Sequence, residues 1–128
     1  MAGSLIKVLV KQRGPVSSLA LAASGVGIAL RPRQAADVLG LSATSSRGVE
    51  ETRAGLGATF AMLGAWGLVR NSPDVHRAVG LTWLGAAASR TVSLRIDEPD
   101  TDWTYWAFLV AEVTLGLAGV TCQRLPPL

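Results

Sequence analysis

Residues 103–122 read WTYWAFLVAEVTLGLAGVTC, and the interpretation of this stretch decides the fold. A helix needs about 20 mostly apolar residues to cross ~30 Å of hydrocarbon, and this run supplies them. Its midpoint, however, is an acid, Glu112. An ionised carboxylate at the centre of a bilayer is costly, so Glu112 is expected to face protein or water and to have a partner. The rest of the chain is then the packing around that group.

The composition agrees with a membrane setting. Of 128 residues 49% are hydrophobic, the mean hydropathy is +0.36, and only 16% are charged, against ~25% in ordinary globular domains. The 14 glycines are numerous for soluble helices, but small residues suit membrane helices because they let backbones approach closely. The net charge of +3 does not come from a basic cluster. Lys7, Lys11, Arg13, Arg31, Arg33, Arg70, Arg77, Arg95 and Arg124 sit at the ends of apolar runs, as membrane flanks do. Nucleic acid is therefore not an expected partner. The lone Cys122 excludes an internal disulfide and reads as a small apolar filler. The lone His76, in a polar link beside Asp74, reads as a surface residue and makes no metal centre unaided.

Working outward from the last run, four spans are expected, at about residues 15–30, 53–69, 76–96 and 103–122, as one all-α, up-and-down, integral membrane four-helix bundle in a single domain over residues 1–128. Residues 4–10, SLIKVLV, read as an amphipathic lead-in lying at the interface. The cationic start before PVSSLALAASGVGIAL also resembles a signal peptide, but further apolar runs follow, so an uncleaved first span is expected. Arg31-Pro32 ends it, and residues 34–41 read as a short surface helix stopped at Gly40. In the second run Gly57, Ala61 and Ala65 repeat every four residues, a stripe along which another helix can pack. Asn71-Ser72-Pro73-Asp74 reads as a tight reversal with Ser72 as N-cap and Pro73 at N1. The link IDEPDTD lacks the glycine and closing Glu of a calcium loop, so its acids read as solvated groups that cap the following helix. Trp103, Tyr105 and Trp106 then form an interfacial aromatic belt, and Pro126 and Pro127 stop the chain.

The third run contains Arg90. Up-and-down order puts Arg90 and Glu112 within ~5 Å of each other in depth at ~1.5 Å rise per residue. An intramembrane pair of Arg90 with Glu112 is expected, with Glu51 and Arg53 as an outer ring nearer water, and with Gly116, Ala86 and Ala87 leaving room for the helices to close. Two parallel hydrogen bonds from guanidinium to carboxylate favour Arg in such a role. Three readings of these charges stand side by side. The pair fixes helix register, or it marks a proton, ion or ligand path, or one charge snorkels to water and the two never meet.

No phosphate-binding glycine motif, HExxH or nucleophile elbow is present, so no catalytic residue, metal or cofactor is assigned. A weak excess of basic residues on the side holding the termini and the Asn71 link favours cytoplasmic termini in the inner or plasma membrane.

At these residues the chain resembles a family of short four-span bacterial membrane proteins, the domain-of-unknown-function family numbered forty-three forty-five. The features are E-x-R-A followed by a glycine (Glu51, Arg53, Ala54, Gly57), an Arg ahead of Ser-Leu (Arg90, Ser93, Leu94) and an acid among apolar residues in the last run (Glu112). It departs in having Ala58 where a second glycine would follow Gly57, and in its acidic 97–102 link. The resemblance implies a four-helix membrane fold and no particular activity. The leading expectation is a structural, accessory or assembly subunit of a larger membrane complex, partnered by lipid and by other subunits or its own copies. The alternative is a proton- or small-ligand-handling bundle built on Arg90 and Glu112.

Overall fold

The structure is a computed structural model that describes residues 2–123, and every regular element among them is helical. Arg124, Pro126 and Pro127 lie outside the described residues. The elements are α1 (Ala2–Leu30), α2 (Pro32–Val38), α3 (Ser46–Glu51), a π-helical segment (Thr52–Ala58), α4 (Thr59–Arg70), α5 (Pro73–Ile96) and α6 (Trp103–Val120).

The expected lead-in and first span are one helix. α1 runs for 29 residues with Pro15 inside it, although proline forfeits a backbone bond there. The turn that follows is held from outside: the Ser17 hydroxyl donates to the Leu115 carbonyl at 2.8 Å, and Trp83 Nε1 donates to the Ser17 carbonyl at 3.2 Å. These ties bind α1 to α5 and α6 just beyond the proline. The short helix lies at Pro32–Val38, slightly earlier than expected, with Pro32 at its start. It closes on Gly40, whose φ of +72° is the left-handed geometry glycine adopts freely.

The reversal between α4 and α5 forms as its sequence dictates. Asn71 adopts a left-handed φ of 43°, the Ser72 hydroxyl accepts from the Val75 N–H at 3.4 Å, and Pro73 occupies the first turn. At the head of α6 the Asp102 carboxylate accepts from the Tyr105 N–H at 3.0 Å and from the Thr104 hydroxyl at 2.6 Å.

α1 packs along α4 and the π segment, α5 packs along α6, and α1 also meets α5 and α6. The seams are closed by small residues. A Cβ placed on Gly64 would stand 2.3 Å from the Ala22 nitrogen, and one on Gly80 2.5 Å from the Val120 nitrogen, so backbones touch there.

The distribution of apolar side chains is unusual for a protein in water. Among the described residues Leu21 and Val79 are large aliphatic side chains with no exposure, whereas Met62, Val69, Leu81, Ile96, Trp103 and Val110 are each more than 60% exposed. Buried polar groups are prominent: Ser17, Ser18, His76 and Glu112. Two helical stretches, Lys11–Leu30 and Trp103–Val120, are long and apolar enough to cross a membrane.

Candidate functional site

The site is built by facing positions on α5 and α6. On α6, Tyr105, Phe108 and Glu112 are spaced three and four apart and share one face. On α5, Arg90 meets that face. Its Nε donates to both carboxylate oxygens of Glu112, each at 2.9 Å. Glu112 is almost fully enclosed, with 7% of its side chain exposed, while Arg90 keeps 25%. The guanidinium lies over the rings of Tyr105 and Phe108, 5.6 and 5.5 Å from their centroids, where the π faces attract a cation. The Tyr105 hydroxyl donates to the Arg90 carbonyl at 2.9 Å, fixing the backbone that carries the charge.

The geometry differs from the expected fork of two parallel bonds. One nitrogen, Nε, straddles the carboxylate, and neither terminal nitrogen of Arg90 hydrogen-bonds to a described residue. The charge on Glu112 is thus neutralised by a three-centre bond that leaves donors over.

Arg90 and Glu112 both border a chamber of about 490 Å³. Its walls come from α1 (Leu21, Ser24, Ile28), the segment after α2 (Leu39, Leu41), the π segment and α4 (Leu56, Phe60), α5 (Thr82, Trp83, Ala86, Arg90) and α6 (Phe108, Ala111, Glu112, Leu115). The walls are mostly aliphatic and aromatic, with the ion pair as the charged patch, and the chamber is partly open to the outside. Ala86 is one of the small residues that give it width.

Other expected site residues lie apart from this pair. Glu51 is exposed and pairs with Arg47 at 3.6 Å, one turn away on its own helix. Arg53 is exposed, and no ion pair or hydrogen bond among the described residues joins it to Arg90 or Glu112. Both stand at the surface end of the run, where the π segment begins at Thr52 and winds the chain more widely than an α-helix does. The expected stripe divides as well. Gly57 is buried against Ala29, and the Ala61 nitrogen lies against Gly25, but Ala65 is exposed and Gly64 and Gly67 continue the seam. A strict four-residue repeat drifts off a 3.6-residue helical face, and alternation of three and four corrects it. Gly116 is buried where a Cβ would meet Leu84 at 2.6 Å, so it admits α5 one turn from the pair.

A second polar centre was hidden by the reading of His76 as a surface residue. His76 is 1% exposed. Its Nδ1 meets the Ser18 hydroxyl at 2.7 Å and its Nε2 meets Asn71 Oδ1 at 2.9 Å. With Asn71 Oδ1 accepting, Nε2 carries the proton and Nδ1 accepts from Ser18. The order Ser-His-Asn echoes a nucleophilic triad, but Ser18 has no exposure and packs against Gly67, leaving no place for a substrate. The cluster ties α1, the α4–α5 turn and α5 together. Arg13 donates to the Thr121 carbonyl and Arg77 Nε to the Cys122 carbonyl at 3.0 Å, extending these ties to the end of α6. In sequence, Ser17-Ser18 inside an apolar run was the signal that a buried polar partner was needed.

No curated protein and no solved structure matches the chain. Residues 14–123 match the model of the family described as domain of unknown function (DUF4345). That span holds Glu51, Arg53, Gly57, Arg90 and Glu112 together with every residue that lines the chamber, and the chain belongs to this family.

Proposed function

We propose that this chain is a multi-pass membrane protein whose interior chamber binds a small lipid-soluble molecule beside the Arg90–Glu112 pair. The observation that carries the reading is the chamber of about 490 Å³ with a neutralised ion pair in an otherwise apolar wall. Ligand pockets commonly have this volume and this make-up, a mostly apolar lining with a few placed polar groups. Four crossings, by α1, the continuous helix of residues 46–70, α5 and α6, are supported by the large apolar side chains that face outward while Ser18, His76 and Glu112 face inward. Such a distribution suits lipid as solvent, because lipid-facing Met62, Val69 and Leu81 carry no hydration cost there. Cytoplasmic termini in the bacterial inner membrane complete the arrangement.

The test is mass spectrometry of the protein extracted in mild detergent. Wild type is expected to carry a co-purifying small molecule, and Ala86→Phe, which fills the chamber from a wall position, to lose it while keeping its thermal midpoint. An empty wild-type chamber in both detergent and nanodiscs would overturn the assignment.

The accessory-subunit reading rests on a different observation. Met62, Ala65, Trp66 and Val69 are all exposed on one face of α4, a strip where a partner helix fits. A stoichiometric protein partner retained in the same mild extraction would favour it.

A further inference from the structure

We infer that the chamber selects a neutral lipophile carrying a carbonyl, a ketone, quinone or ester, and that the terminal nitrogens of Arg90 are the donors that recognise it. The inference rests on the chamber reading above and adds the chemical class. Arg90 lines the cavity and spends only Nε on Glu112, so its two terminal amino groups keep their hydrogen-bonding capacity. A guanidinium only donates; it cannot accept. A ligand seated beside it therefore needs an acceptor.

The charge balance decides which acceptor. Glu112 already compensates Arg90 at 2.9 Å, so the pair presents no net charge to the chamber. A second carboxylate or a phosphate entering an apolar enclosure would have no cation of its own and would lie near the Glu112 oxygens, which repel it. A pure hydrocarbon would fill the apolar walls but displace water from the donors without replacing its hydrogen bonds, which is a cost. A carbonyl avoids both penalties. Trp83 does not compete as a donor, because its Nε1 is taken by the Ser17 carbonyl at 3.2 Å.

The experiment uses the full chain in nanodiscs with three probes of equal chain length: 2-undecanone labelled with ¹³C at the carbonyl, undecane and undecanoate. Empty nanodiscs of the same lipid give the partition baseline. The expected result is a saturable, downfield-shifted bound carbonyl resonance, with affinity at least about tenfold above that of undecane and no saturable uptake of undecanoate. Arg90→Met combined with Glu112→Met removes every side-chain donor at the pair and strands no charge, so the ketone preference should fall to that of undecane. Equal binding of ketone and undecane in wild type, or a ketone preference unchanged in the Arg90→Met, Glu112→Met double variant, overturns the carbonyl assignment and leaves the chamber as a general lipophile site. Preferred uptake of undecanoate overturns the charge argument. No saturable uptake of any probe overturns the chamber reading itself.

Discussion

At the scale of single residues, Arg90 and Glu112 carry unequal risks. Glu112 has 7% of its side chain exposed and Arg90 25%. Arg90→Ala therefore strands an enclosed carboxylate and should cost about 3–5 kcal/mol, whereas the stem of Arg90 can carry its charge outward after Glu112→Ala, and that variant should lose less. Thermal midpoints of both variants and of the exchanged pair check this; equal, small losses would remove the pair from the account of stability. His76→Ala leaves Ser18 and Asn71 without their partner and should cost about 1–3 kcal/mol. The pairing of Arg90 with Glu112 was legible because two opposite charges inside apolar runs have few ways to be accommodated. Tyr105 was legible only as an interfacial aromatic, since its hydroxyl reaches the Arg90 carbonyl by a tertiary contact that spacing along one helix cannot reveal.

At the scale of elements, caps and seams set the boundaries. The Thr104 hydroxyl, followed by the Tyr105 N–H, holds the Asp102 carboxyl below its usual range. The unfolded chain then binds the proton more readily, so the stabilising effect is whole above the ordinary carboxylate value of ~3.9 and fades as pH falls through the lowered folded value. The thermal-midpoint gap between wild type and Asp102→Ala should be full near neutral pH and close in acid. A gap constant down to the acid limit would place the effect elsewhere than in ionisation. Along the other seam, Gly64→Val drives a branched side chain into the α1 backbone at Ala22 and should abolish the folded state, read as loss of a monodisperse peak in detergent. The reversal at 71–74 and the cap at Asp102 were readable from local rules alone. The passage of α1 through Pro15 was not, because the ties that hold it come from residues 83 and 115.

At the scale of the whole molecule, many large apolar side chains face outward, and most of the buried groups other than Leu21 and Val79 are small or polar. In the proposed membrane setting, close helix contacts and buried hydrogen bonds take the place of hydrophobic collapse in holding the structure. Single cysteines replacing Asp97 and Lys11 in a Cys122→Ser background should react with impermeant reagent from opposite faces of sealed vesicles. Labelling from one face only would exclude an odd number of crossings between them. The all-helical character was legible from hydropathy, and so was the family, from the Glu51, Arg90 and Glu112 neighbourhoods. The chamber was not, since an empty volume is a property of how α1, α4, α5 and α6 diverge and leaves no mark on any one of them.

The π segment from Thr52 to Ala58 carries one more consequence. A π turn winds more widely than an α turn and departs from the regular hydrogen-bond ladder. Leu56, in the chamber wall, and Gly57, against Ala29, both ride on it. A change in the winding of this segment would therefore shift the wall and the α1 seam in the same movement, coupling the width of the interior to the grip between two helices.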